Sequence, residues 1–197
     1  MYKKIQTIDK SELIHTLSIW NRYLKRKIHM IACGGTALTL LNLKESTIDV
    51  DLMIPEPDEY KYLEKTLIDL GYEQKTGTGW QKDRGFRFDL FAGNTIFTTE
   101  LLESPLDKGN HILFKEFSSI YLGILNYYDL IISKLFRFTP VDREDCFAII
   151  REKSDEIDLE RLKSRFYDTS SYDIFDEKNK KNFEFFLDLL KDKNIIK

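Results

Sequence analysis

The sequence predicts an α+β fold, with a mixed sheet flanked by helices over residues 1–124 and a small helical bundle over 125–197. Three observations predict it. Short aliphatic runs in the first part end at Gly or Pro, as buried strands do. Apolar residues at helical spacing lie between them. From Asn126 onward only the helical period is left.

Taken in order, "KSELIHTLSIWNRYL" spaces Leu13, Leu17, Trp20 and Leu24 along one stripe, an amphipathic opening helix. "IHMIAC" reads as a short buried strand stopped by Gly34-Gly35, and "TALTLLNL" resumes a helix with Thr36 as its N-cap. "TIDVDLMIP" is a strand closed by Pro55. "PDEYKYLEKTLIDLG" is a helix with Tyr60, Leu63, Leu67 and Leu70 on one face and Gly71 as its cap. "GWQKD" and "FRFDLFAG" are strands about a turn at Asp83 to Gly85, and residues 111–124 are extended. Four helical runs follow: "NYYDLIISKLFRF", "VDREDCFAIIREK", "DLERLKSRFYD" and "EKNKKNFEFFLDLLKDK". Phe183, Phe186, Leu187 and Leu190 form the packing face of the last.

The composition narrows the function. With 33 acidic and 30 basic residues the net charge is -3, which argues against a broadly basic surface that coats nucleic acid. No apolar run is long enough for a membrane span, and "MYKKIQTIDKSE" has no signal-peptide core, so a cytoplasmic address is expected. Cys33 and Cys146 belong to no metal or redox spacing and read as buried thiols. His15, His29 and His111 are scattered. Chemistry, then, falls to carboxylates and cations.

One stretch carries it: "IACGGTALTLLNLKESTIDVDLMIP". Strand alternation puts Asp49 and Asp51 on one face and Val50 and Leu52 on the other. Two neighbouring carboxylates repel unless they share a proton or bind a cation. An all-oxygen set suits Mg²⁺ or Mn²⁺. Asp89 in "FRFDLFAG" supplies a third carboxylate, with Arg87 on the same face to offset charge. Gly34 and Gly35 admit a ligand close to the backbone, and the unpaired amides of the next helix, with Thr36, suit phosphate.

"GGT", twelve residues, then "DVD", with Asp89 on a later strand, resembles the signature of the DNA polymerase beta superfamily of nucleotidyltransferases. The helical sequel resembles its minimal and abortive-infection toxin branch, and the resemblance spans roughly residues 28–150. It implies the nucleotidyltransferase fold with a C-terminal helical bundle. It also implies an NTP such as ATP as nucleotide donor, with Asp49, Asp51 and Asp89 as catalytic metal ligands. Gly34, Gly35, Thr36 and Arg87 would serve the nucleotide. By position, Lys134 and Arg137 would meet phosphate, and Arg143 and Asp145 would match the last motif of the branch. Thr36 stands where serine is usual, Arg87 where lysine is usual, and the helical tail is shorter than in many toxin members.

Ordinary readings stand beside these. Lys134 sits among Leu130, Ile131 and Leu135, where a lysine stem also covers a core. Arg143 and Asp145 also suit a helix start, Asp142 reads as an N-cap, and Tyr127 and Tyr128 read as core aromatics ahead of base-stacking groups. For the acceptor, an RNA 3′ end (especially tRNA) or a protein in a toxin–antitoxin pair stands first. A small molecule of the aminoglycoside kind stands second, and a contact-only antitoxin-like partner is the non-enzymatic rival.

Overall fold

The computed structural model describes residues 6–196; residues 1–5, part of the stretch read for a leader, lie outside the described residues. The chain divides into two compact units. Of the described residues, the first takes 6–94 and 104–125, the second Thr95–Glu103 and 126–196. The second unit thus draws a short segment from within the part that the sequence reads as sheet.

In the first unit, β1 (Ile8–Asp9) leads into α1 (Lys10–Tyr23), then β2 (Ile28–Ala32), α2 (Gly34–Leu40), β3 (Ser46–Thr47) and β4 (Asp49–Ile54). After α3 (Pro57–Asp69) come β5 (Glu73–Gln74), β6 (Gly79–Gln81) and β7 (Arg87–Ala92), and later β10 (His111–Glu116) and β11 (Ile120–Leu125). A seven-stranded sheet runs β10-β11-β2-β4-β7-β6-β5. β4 pairs antiparallel with β2 and parallel with β7. A strand buried on both faces reads as a near-continuous apolar run. In β4, Val50 through Ile54 are accordingly buried throughout.

Local chemistry sets the helix ends. Asp9 caps α1 in a capping box with Glu12. Gly71, with φ +82°, ends α3 in the left-handed region that a side chain disfavours. The Trp20 ring packs against Phe88 at 4.6 Å and Tyr72 at 5.5 Å, so α1 buries one face of β7. Asp89, next along the strand, therefore faces the other side.

In the second unit, β8 (Thr95–Ile96) and β9 (Thr99–Glu100) make a tight hairpin. α4 (Tyr127–Arg137), α5 (Pro140–Glu152), α6 (Leu159–Ser171) and α7 (Asp176–Asp192) pack around an aromatic core. In that core Phe166 stacks on Phe183 at 4.1 Å and Phe147 on Phe186 at 5.2 Å. Tyr127 is buried, and the Tyr128 hydroxyl accepts from the Asp158 amide at 3.1 Å, so both serve the bundle. Asp142 is not an N-cap: Thr139 caps α5, and Asp142 is its reciprocal partner one turn in. The two acting together leave the same sequence trace as an acidic cap.

Candidate active site

The register of β4 and β7 builds the site. Asp49 lies opposite Arg87 and Asp51 opposite Asp89. Residues opposite each other in a ladder share a face, so the three carboxylates and the guanidinium converge on one side of the sheet. On the far side, Val50 and Leu52 meet Phe88 and Leu90, all buried. That hydrophobic layer fixes the strands from behind and leaves the polar face no freedom of register.

The start of α2 sits over this face. Gly34 takes φ +54°, and a Cβ there would lie 2.1 Å from Asp51 Oδ2. The Gly35 amide donates to that same oxygen at 3.3 Å, and a Cβ on Gly35 would lie 2.5 Å from the Thr47 hydroxyl. The two glycines are thus needed first to let Asp51 reach the helix N-terminus. Thr36 corrects its sequence reading: Cys33 is the residue before the helix, and Thr36 lies inside it. Its hydroxyl accepts from the Asp51 amide at 2.8 Å and points to the Asp49 carbonyl at 3.4 Å. It fastens α2 to β4.

Arg87 ties the carboxylates together. Its Nη2 donates to Asp49 Oδ2 at 2.7 Å and its Nε to Asp89 Oδ2 at 3.1 Å. Asp51 and Asp89 are buried, whereas the Asp49 side chain keeps 33% of its surface and Arg87 42%. Burial holds the Asp49 carboxyl above its ordinary range, against the lowering pull of Arg87 and with a further upward push from Asp89.

Residues that sequence reasoning did not single out complete the frame. The Thr78 hydroxyl donates to Asp89 Oδ1 at 3.2 Å, and the Thr47 hydroxyl to the Asp49 carbonyl at 3.0 Å. A Cβ on Gly79, which pairs with Asp89, would press on Asp89 Oδ1 at 3.1 Å. The traces were there, in "TGTGW" and in the "ST" before "IDVD", but only strand pairing connects them to the carboxylates.

The other candidate residues lie in the second unit. Lys134 is 1% exposed and donates to Asp145 Oδ2 at 2.6 Å, with Asp142 at 3.9 Å. Arg137 donates to Asp142 at 2.5 Å and lies 3.9 Å from the centre of the Phe97 ring, and Arg143 lies over Phe138. Cys146, in the same cluster, is a buried thiol pushed upward in pKa chiefly by that burial.

The donor set of the first unit fits a hard divalent cation in kind, since it offers carboxylate oxygens alone. Among the described residues, no three His, Cys, Asp or Glu side chains form a ready metal cluster. Arg87 occupies Oδ2 of Asp49 and Oδ2 of Asp89.

Fold and site together define the class: the chain has the nucleotidyltransferase fold. It is similar to the crystal structure of ANT(2'')-Ia in complex with adenylyl-2''-tobramycin, at 17% identity and a TM-score of 0.52, over 78% of this chain and 94% of that one. It is also similar to the solution structure of the antibiotic-resistance factor ANT(2'')-Ia, at 16% identity and a TM-score of 0.56, over 83% and 94%. More particularly, residues 107–194, somewhat under half of the chain, match the family described as "Nucleotidyltransferase of unknown function (DUF6036)". No curated protein sequence matches the chain. Among the described residues, no helix is long and apolar enough to cross a membrane.

Proposed function

We infer that the protein transfers a nucleoside monophosphate from an NTP to an acceptor hydroxyl. One observation carries this: Asp51 faces Asp89 across parallel strands, directly beneath the Gly34-Gly35 start of α2. An acceptor oxygen bonds to the α-phosphorus, the bond from that phosphorus to the bridging oxygen breaks, and pyrophosphate leaves. The acceptor proton passes to a carboxylate, for which Asp89 is oriented by Thr78. Asp49, Asp51 and Asp89 are the residues to hold Mg²⁺ or Mn²⁺, which would neutralise charge on the phosphates. Gly34, Gly35 and Thr36 shape the phosphate side, with Arg87 near it. Lys134 and Asp145 belong to the proposal as the basic and acidic pair of the following helices. Such a reaction is driven by positioning and electrostatics and needs no activated nucleophile.

For the acceptor, an RNA 3′ end or a protein of a toxin–antitoxin pair is supported by the resemblance of the helical sequel to the toxin branch. The small-molecule reading draws on a different observation, the likeness to a fold that holds an adenylylated tobramycin. The test is to incubate protein, Mg²⁺ and each α-labelled NTP with tRNA, with a protein lysate and with tobramycin in parallel, beside Asp49→Asn/Asp51→Asn. Label entering one acceptor in the wild type and not in the variant establishes transfer and selects the acceptor. Absence of label in every arm, from folded protein, removes the catalytic reading in favour of a contact-only partner.

A further inference from the structure

We propose that Arg87 is a resident counter-ion of the carboxylate site: it competes with the divalent cation for Asp49 and Asp89, and moves to the nucleotide's phosphates when cation and nucleotide bind together. The idea rests on the nucleotidyl-transfer reading and specifies how that site is loaded.

The geometry sets up the competition. Arg87 approaches Asp49 and Asp89 through one oxygen of each, Oδ2 in both cases, at 2.7 and 3.1 Å. A Mg²⁺ ion demands carboxylate oxygens at about 2.0–2.1 Å. An ion on those two oxygens would therefore sit within a few ångströms of the guanidinium, where like charges repel strongly. Both cannot hold the pair in full. The guanidinium is the group that can leave, because its backbone is fixed between Asp49 and Gln81 by the ladder while its side chain is 42% exposed. Rotation into solvent costs it two charge-assisted bonds, and a triphosphate restores them, since guanidinium and phosphate pair through matched donors and acceptors. Cation binding alone is thus opposed by Arg87, and cation binding with nucleotide is assisted by it. By linkage the coupling is reciprocal: each ligand strengthens the other by the same factor.

A brace that only holds the strands in register would behave otherwise, since losing it would weaken both ligands. The two accounts part on the sign of one effect. Mn²⁺ alone is titrated into wild type, Arg87→Met and Arg87→Lys, and free Mn²⁺ is followed by its electron paramagnetic resonance signal. Binding of α,β-methylene ATP at saturating Mn²⁺ is then measured by calorimetry. The expected result is that Arg87→Met binds Mn²⁺ about tenfold more tightly than wild type and the analogue about tenfold more weakly. Arg87→Lys, a point charge that cannot span both carboxylates, falls between. Mn²⁺ binding that is unchanged or weakened in Arg87→Met overturns the proposal. If that variant does not fold by thermal melting, Arg87→Lys carries the same comparison, and Mn²⁺ binding no tighter than wild type overturns it too. The underlying reading fails separately: Mn²⁺ binding that survives Asp51→Asn, or is absent from every protein, shows that these carboxylates are not the metal site.

Discussion

At Gly34 a single methyl group decides whether the site exists. A Cβ there falls 2.1 Å from Asp51 Oδ2, far inside contact distance, on a backbone at φ +54°. The left-handed conformation alone costs a non-glycine residue about 1–2 kcal/mol. Relief comes only from moving Asp51 or unwinding the first turn of α2. Gly34→Ala is therefore expected to keep its fold with a lowered melting temperature while losing about a hundredfold or more in nucleotidyl transfer, since small displacements of reacting groups are expensive. Calorimetric melting and the labelled-NTP assay separate the two effects, and near-normal transfer would show that Asp51 does not need its present position. The carboxylates were legible in sequence because alternation is local: Asp49 and Asp51 two apart, Asp89 between Phe88 and Leu90. Thr78 and Gly79 were not legible as partners of Asp89, because their proximity arises from the β6–β7 pairing.

Helices with strong periodicity were legible in the same way, and their ends less so. The stripes Leu13-Leu17-Trp20 and Phe183-Phe186-Leu190 are buried as spacing demands. Thr36 was misplaced because a hydroxyl ahead of an apolar run looks like a cap whether or not the helix has already begun. The hairpin of β8 and β9 has two-residue strands, too short for any period to show. At α5 the capping box gives a direct test: Thr139→Ala removes the acceptor for the Asp142 amide and should cost about 1 kcal/mol in urea unfolding. At α7, Lys180 first and then Ser170 hold the Asp176 carboxyl below its ordinary range. A depressed carboxyl stabilises the fold above its unfolded value, about 3.9, and that contribution disappears as pH falls through the lower folded value. The stability gap between wild type and Asp176→Asn should hold steady at neutral pH and close below about pH 4. A gap independent of pH would exclude the Asp176 charge as its source.

On the scale of the whole molecule, the second unit raises a question that burial sharpens. Lys134 and Asp145 are almost wholly inside the bundle and bonded at 2.6 Å. A buried pair of this kind is a modest net contributor, yet removing one partner strands the other charge, at about 3–5 kcal/mol. Loss of transfer in Lys134→Met alone would therefore not reveal a nucleotide contact, since unfolding gives the same result. The double variant Lys134→Met/Asp145→Asn removes both charges, with Met matching the lysine in volume and Asn the aspartate, and should recover much of the lost stability. Asp142 stays held, because Arg137 and the α5 cap still satisfy it. If the double variant melts near wild type but transfer remains abolished, the pair serves the nucleotide. If transfer returns with stability, the pair is an internal brace, and the nucleotide chemistry rests on the carboxylate face, the glycine pair and Arg87. Urea unfolding and labelled transfer on the same three proteins decide it, and only the double variant makes them independent.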